Sequence, residues 1–245
     1  MPSPSPCAAP LPPVACSSCG LRELCLPVGF SDEEMADLDA LVTTRRPLRR
    51  GERVFRTGDP FSALYAVRTG FFKTCTGSEG GREHITGFQM GGDLLGLDGF
   101  ADDTHRCDAV ALEDSQVCVI PCSALESLCQ RLPTLRRQMH RVMSREIVHE
   151  HGLMTLLGGM RAEERVAEFL ANLGRRLQDR GFSPSSFVLR MTRQEIGTYL
   201  GLQLETVSRS FSRLHDAGIL DVKRRHVRIV DAESLQRLVA GSSRS

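Results

Sequence analysis

The sequence predicts an α+β chain built as an N-terminal antiparallel β jelly roll, one long helix and a C-terminal winged helix-turn-helix. Three observations predict it. From about Pro47 to Pro121, short segments such as R-V-F, A-L-Y-A-V, F-F-K-T-C, H-I-T-G-F and Q-V-C-V-I alternate with glycines at Gly51, Gly58, Gly70, Gly77–Gly81, Gly87 and Gly91-Gly92. Short strands with regularly spaced glycine turns make an antiparallel barrel or jelly roll. Leu135 to Leu157 then carries Met139, Met143, Ile147, Glu150, Met154 and Leu157 at helical spacing. Beyond it, two short helical patterns joined by Gly201 lead into two alternating segments around Lys223-Arg224-Arg225.

In chain order, residues 1 to about 15 are rich in Pro, Ser and Ala, a composition that cannot bury a core and is expected to be disordered. The next stretch reads A-C-S-S-C-G-L-R-E-L-C-L-P. Cys16, Cys19 and Cys25 have the spacing C-x2-C-x5-C, close enough for three thiolates to reach one metal centre from a single loop. A structural zinc site usually pairs two C-x2-C elements and here there is one, whereas iron–sulfur clusters accept a short cysteine run plus a distant ligand. Spacing therefore favours a cluster, and leaves the fourth ligand open among Cys7, Cys75, Cys107, Cys118, Cys122 and Cys129. Buried hydrophobic roles suit Cys75 and Cys129. Ser31 to Val42 is a capped helix, S-x-x-E at its start, with Met35, Leu38, Leu41 and Val42 inward.

The long helix follows Pro133. Its seam is heptad-like with one acidic residue, Glu150, where a helix packed only on its own barrel would carry an apolar one. Ala162 to Arg180 is a further helix burying Val166, Phe169, Leu170 and Leu173. Thr192 and Glu195 form a T-x-x-E capping box, and Ile196 and Leu200 give that helix an apolar seam. In the next helix, Gln203 to Leu214, the residues Val207, Phe211 and Leu214 face inward. Glu205, Ser208, Arg209 and Ser212 share the outward face. These groups suit base edges: Arg pairs bidentately with guanine, Glu accepts from the cytosine amino group, and Ser serves either role. Gln203 is a weak N-cap. After the glycine cap Gly218, I-L-D-V and H-V-R-I-V form a wing whose basic turn is placed for phosphate.

Charge is unevenly spread. Residues 161–230 hold 13 Lys+Arg against 8 Asp+Glu, and the remainder 18 against 22. A basic C-terminal part beside an acidic remainder suits a protein that offers nucleic acid one end only. No apolar run reaches transmembrane length and the N-terminus lacks signal-peptide character, so a cytoplasmic protein without a membrane partner is expected. Nine cysteines are then expected to stay reduced.

C-x2-C-x5-C-x-P, Q-V-C-V-I-P, A-E-E-R-V-A-E-F-L, R-G-F-S-P and M-T-R-Q-E-I-G-T-Y-L-G-L-Q-L-E-T-V-S-R together resemble the cyclic-AMP receptor protein/fumarate–nitrate reduction regulator superfamily. The similarity is closest to the fumarate–nitrate reduction regulators, which are oxygen-sensing transcription factors, and spans about Cys16 to Gly241. It implies a cyclic-nucleotide-binding-like jelly roll, a long dimerisation helix and a winged helix-turn-helix, divided as residues 1–29, 30–132, 133–159 and 160–245. It also implies a 4Fe-4S cluster held by Cys16, Cys19, Cys25 and Cys118, the last in the V-C-x-I-P strand. The family's base-reading positions fall on Glu205, Ser208 and Arg209. Leu204 replaces an arginine of the cyclic-AMP receptors, which implies TTGAT-type half-sites in an inverted repeat of double-stranded DNA. A homodimer through Met143, Ile147, Glu150 and Met154, and an RNA polymerase contact near Gly81, complete the expectation.

Two other readings compete. A cyclic-nucleotide receptor of the same fold needs a carboxylate for ribose and an arginine with a hydroxyl residue for the phosphate. Here Leu97 stands at the carboxylate position and Cys107 follows Arg106. Leaving a ribose hydroxyl buried and unpaired would cost about 1–3 kcal/mol. A haem-based sensor has no single histidine marked as an axial ligand. An iron–sulfur enzyme or electron carrier would need a substrate site, and the chain shows no second cluster motif, dinucleotide fingerprint or nucleophile–base pairing.

Overall fold

A computed structural model describes residues 15–42, 44–77 and 83–241. The proline-rich start with Cys7, and the glycine cluster around Gly81, lie outside the described residues. Ser31 caps the first helix, α1 (Asp32–Leu41): its hydroxyl accepts from the Glu34 amide at 3.3 Å, and Glu34 accepts from the Ser31 amide at 3.0 Å. Met35, Leu38 and Leu41 are buried, as the periodicity requires.

The barrel strands are β1 (Thr44–Leu48), β2 (Arg53–Phe55), β3 (Ala63–Thr69), β4 (Phe71–Gly77), β5 (Glu83–Met90), β6 (Leu94–Leu95), β7 (Asp108–Ala111) and β8 (Ser115–Pro121). They form two four-stranded sheets, ordered β1-β8-β3-β6 and β2-β7-β4-β5, with antiparallel pairings throughout. This is the expected jelly roll, and Val54, Val67, Phe72, Leu95 and Val117 fill it. Cys75 is buried and Cys129 half-buried among apolar neighbours, and the Cys75 thiol also donates to Glu83 Oε1 at 3.1 Å.

After the barrel the sequence reading lacks an element. The helix α2 (Cys122–Arg131) buries Cys122, Leu125 and Leu128 before the long helix begins. That helix, α3 (Pro133–Gly159), starts on Pro133, whose missing N–H is no loss in a first turn. Its seam is divided. Leu135 and Met139 belong to the barrel core and Leu156 to the C-terminal core. Between these anchors Ile147, Val148 and Met154 are 57%, 66% and 66% exposed.

The C-terminal unit comprises α4 (Ala162–Gln178), β9 (Ser186–Val188), α5 (Arg193–Leu200), α6 (Leu204–Asp216), β10 (Leu220–Lys223), β11 (His226–Ile229) and α7 (Ala232–Gly241). The helix expected to reach Arg180 stops at Gln178. The strand β9, which pairs with β11, and the helix α7 are further elements absent from the sequence reading. The capping box of α5 is present, with Thr192 Oγ1 accepting from the Glu195 amide at 3.1 Å and Glu195 from the Thr192 amide at 2.7 Å. Gly201, at φ 64, closes that helix in the left-handed region. Gly218 follows α6 in the same way: its N–H reaches His215 O at 2.9 Å and the Ile219 N–H reaches Leu214 O at 3.0 Å. That pair of bonds is a Schellman ending.

Barrel and C-terminal unit share one apolar core. Ile85, Phe88 and Met90 of β5 cluster with Phe169, Leu170 and Ile196. Ion pairs frame it: Lys73 Nζ lies 3.1 Å from Glu195, Arg190 Nε 3.1 Å from Glu113, and Arg176 and Arg180 each 2.6 Å from Asp93.

Gly197 is where α5 comes closest to the turn. A Cβ there would sit 2.6 Å from Leu202 O and 3.4 Å from a Val207 methyl. Gly197→Ala gains about 0.5–1 kcal/mol of helix propensity. It loses about 1–3 kcal/mol to overpacking against backbone. The overpacking wins, so the variant should have a lower urea midpoint at unchanged slope.

Candidate cysteine site and nucleic-acid interface

The loop before α1 is held by side chains rather than by regular structure. Asp39 of α1 accepts hydrogen bonds from the Cys16 amide, the Ser17 amide at 3.1 Å and the Ser17 hydroxyl at 2.6 Å. Leu26 is buried in the same core as Leu38, Leu64 and Ile120. The loop thereby folds back over the sheet β1-β8-β3. Cys118 of β8 stands directly between Arg45 of β1 and Ala66 of β3. The outcome is a small cavity of about 30 Å³ whose walls include Cys16, Cys19, Cys25 and Cys118. Cys122 and Cys129 do not line it. Four residues beyond Cys118, the chain has left the sheet for α2.

Burial favours the protonated form of the thiols at this site. Burial above all, with Cys25, Asp39, Cys118 and Cys19 adding, pushes the Cys16 thiol up to about 12. Burial does the same for Cys25, also to about 12, against the Leu26 backbone N–H, which lowers it. Cys118 is raised by burial too, with Arg68 and Arg45 opposing. Apart from metal these three thiols hold their protons at neutral pH, so ligation must release protons. Arg68 stands at the wall, and Arg45 lies beside Cys118 on the neighbouring strand. Arg68 Nη1 lies 3.9 Å from Cys19 Sγ, and Arg45 Nε is buried with no hydrogen-bond partner. An orphaned N–H across from Cys118 is what thiolate sulfur would satisfy, and the two cations offset thiolate charge. Among the described residues no three His, Cys, Asp or Glu side chains converge closely enough for a single metal ion. The donor type, four cysteine sulfurs with cations nearby, is the kind that holds an iron–sulfur group.

The barrel holds a second cavity, between its strands and α3. Leu97, Asp98, Cys107, Glu146 and Glu150 are among its walls, and no Lys or Arg is. Arg106 is turned outward, bonded to Asp102 with Nε at 3.0 Å. Burial raises the Glu146 carboxyl, and Glu150 adds to the shift while His149 opposes it. Carboxylates without a cation repel a cyclic phosphate, which removes the physical basis for that rival. Met143 and Ile147 border the same cavity and Ile147 stays 57% exposed, so the middle of the α3 seam is not packed down on the barrel.

On α6, Val207, Phe211 and Leu214 are buried, and Glu205, Ser208, Arg209 and Ser212 are exposed on the opposite face. Gln203 caps without a side-chain bond, as its type foretold. Beside this face, β10 and β11 pair with Lys223 opposite Val188's neighbour in register, His226, leaving Arg224-Arg225 as a two-residue turn. Arg224 has φ 57, a strained conformation for a side-chain-bearing residue that lifts a cation to the tip of the wing.

Similarity to known proteins converges on the same assignment. Residues 45–132 match the cyclic nucleotide-binding domain family and residues 164–238 the Crp-like helix-turn-helix domain family. Transcriptional regulatory protein btr of Bordetella pertussis is 45% identical over 236 residues, covering 96% of this chain and 98% of that one. The fumarate and nitrate reduction regulatory protein of Salmonella typhimurium is 42% identical over 232 residues, covering 95% and 92%. The structure of FixK2 from Bradyrhizobium japonicum superposes with a TM-score of 0.74 at 34% identity, over 80% of this chain and 96% of that one. No described helix is long and apolar enough to cross a membrane. Jelly roll, winged helix and near full-length similarity together place the chain in the cyclic-AMP receptor protein/fumarate–nitrate reduction regulator superfamily, in its fumarate–nitrate reduction branch, as a DNA-binding transcription regulator and not an enzyme.

Proposed function

We propose that this regulator is oxygen-responsive, with a 4Fe-4S cluster held by Cys16, Cys19, Cys25 and Cys118. One observation carries the reading: cysteines 93 residues apart in sequence, Cys25 and Cys118, line one cavity with the other two. Bound there, the cluster would supply a centre open to attack by oxygen. The chain's own part is mechanical. Three loop cysteines and Cys118 tie residues 1–29 to the barrel, residues 30–132. The helix, residues 133–159, presents Ile147, Val148 and Met154 to a second copy. The dimer then sets two C-terminal units, residues 160–245, on a TTGAT-type inverted repeat, their recognition helices one DNA turn apart. RNA polymerase is the further partner, and the cytoplasm the compartment.

Cys118→Ser should abolish cluster assembly, and Cys122→Ser should leave it intact. Iron and sulfide content after anaerobic purification decides this, and normal content in the Cys118→Ser protein would sink the ligand set.

On DNA, Glu205, Ser208 and Arg209 read bases while Arg224 contacts phosphate. Arg209→Ala should lose about 1–3 kcal/mol of specific binding and relax discrimination at one guanine. Arg224→Ala should weaken all sequences alike and reduce the salt slope by about 1. Titrations of matched and mismatched sites at several salt concentrations separate the two behaviours.

The dimer balance rests on Met143, Ile147, Glu150 and Met154. In a parallel pair Glu150 meets its symmetry mate, and two carboxylates at about 4 Å repel by about 1 kcal/mol in water, several times more where the seam is partly dry. A few kcal/mol move a nearly balanced equilibrium. Glu150→Ala should therefore be a dimer in air without the cluster. A monomer on ultracentrifugation of that aerobic variant would remove Glu150 from the switch.

A further inference from the structure

The turn between β5 and β6 touches both the cysteine loop and the DNA-binding unit. Its first two residues have no side chains, and the loop occupies the space. A Cβ on Gly91 would lie 3.0 Å from Leu21 Cδ1, and one on Gly92 would lie 2.9 Å from Leu24 Cβ. Gly92 also has φ 91, so a larger residue is strained there on two counts. The third residue, Asp93, faces the opposite way. Its Oδ2 accepts from Arg176 Nη2 at 2.6 Å and its Oδ1 from Arg180 Nη2 at 2.6 Å. Arg176 also donates to Phe88 O at 2.9 Å, and Arg180 Nε to Gly91 O at 2.5 Å.

The turn is stiff. Asp93 Oδ2 accepts from the Met90 amide at 2.8 Å, the Gly92 N–H donates to Val67 O at 2.8 Å, and the Val67 N–H donates to Asp93 O at 2.9 Å. Val67 and Arg68 line the cysteine cavity. Arg180 is nearly buried, its side chain 7% exposed, and Asp93 is 25% exposed, so solvent screens this pairing far less than it screens the surface pairs. A displacement of Leu21 and Leu24 cannot be absorbed by soft side chains in the turn, because Gly91 and Gly92 have none. It passes to Asp93 and on to α4.

We propose that Asp93 is a positioning residue: through Arg176 and Arg180 it sets the DNA-binding unit according to whether the cysteine loop is seated on Gly91-Gly92. The inference rests on the oxygen-responsive reading above, and adds a route to DNA binding within one protomer. Such coupling is reciprocal: a loop that biases the DNA-binding unit must itself be biased by that unit.

The test uses the full chain in two forms. In metal-free protein, R176Q/R180Q leaves the barrel and every cysteine unchanged, and amide exchange of residues 21–26 should speed at least tenfold. Unchanged exchange there would overturn the proposal. In anaerobically reconstituted protein, Asp93→Asn should keep wild-type iron content and dimer fraction. Its gain in affinity for the inverted repeat on reconstitution should fall at least tenfold below the wild-type gain. A full wild-type gain in Asp93→Asn protein overturns the link while leaving the cluster reading intact. Wild-type protein that takes up no cluster fails the cluster reading instead, and the exchange measurement still judges the link.

Discussion

Everything at the cysteine site depends on the burial of Leu26. The loop from Ala15 to Phe30 has no helix or strand of its own, so its conformation comes from what it is pressed against. Leu26 enters the core formed by Leu38 of α1 and by Leu64 and Ile120 of the sheet, and Asp39 collects the backbone at the other end of the loop. Fully burying a leucine is worth about 1.5–3 kcal/mol, comparable to several of the loop's hydrogen bonds together. With both ends fixed, the three loop cysteines have one surface left to face. That surface is the strip of sheet where Cys118 lies between Arg45 and Ala66.

The elements whose signals are local were legible in the sequence. Capping boxes at Ser31 and Thr192, the buried seam of α6, and the basic turn of the wing each depend on residues within a few positions of one another. Non-local facts were not. That Cys118 and not Cys122 lines the cavity is a matter of strand register: one lies on a sheet face beneath the loop, and the other opens a helix. Spacing could not make that choice, and only the family resemblance pointed to it. Asp93 lies 83 and 87 residues from its two arginines, so no window of sequence contains the interaction. Arg45 and Arg68 were likewise passed over, although their alternation on β1 and β3 beside Cys118 and Ala66 is a signal once the strands are paired. The missed α2 is as long as α1 but starts without a side-chain cap to mark it, and β9 has only three residues.

The barrel cavity explains how a nucleotide-binding architecture persists without nucleotide chemistry. Its volume and the glycine turn at its rim belong to the fold, whereas recognition of a cyclic phosphate needs one cation and one hydroxyl at defined places. Cys107 supplies neither, Arg106 is spent on Asp102, and Glu146 and Glu150 bring negative charge toward the opening. Those carboxylates sit on α3, the helix that carries the exposed apolar stretch. Under the proposed dimerisation through α3, the charges that disfavour a phosphate would also bear on the approach of a second α3.

Two properties of the interface between barrel and C-terminal unit set what a signal at the loop can do. Its apolar part sets Phe88 edge-to-face against Phe169 and Tyr199, with ring centroids 6.0 and 5.2 Å away. Its polar part is directional: two guanidiniums grip one carboxylate, and Lys73 reaches Glu195, the same residue that caps α5. A shift of the Asp93 turn would re-aim its bonds to Arg176 of α4 and to Arg180 just beyond that helix, while the Lys73 pair bears on the helix just before the recognition helix.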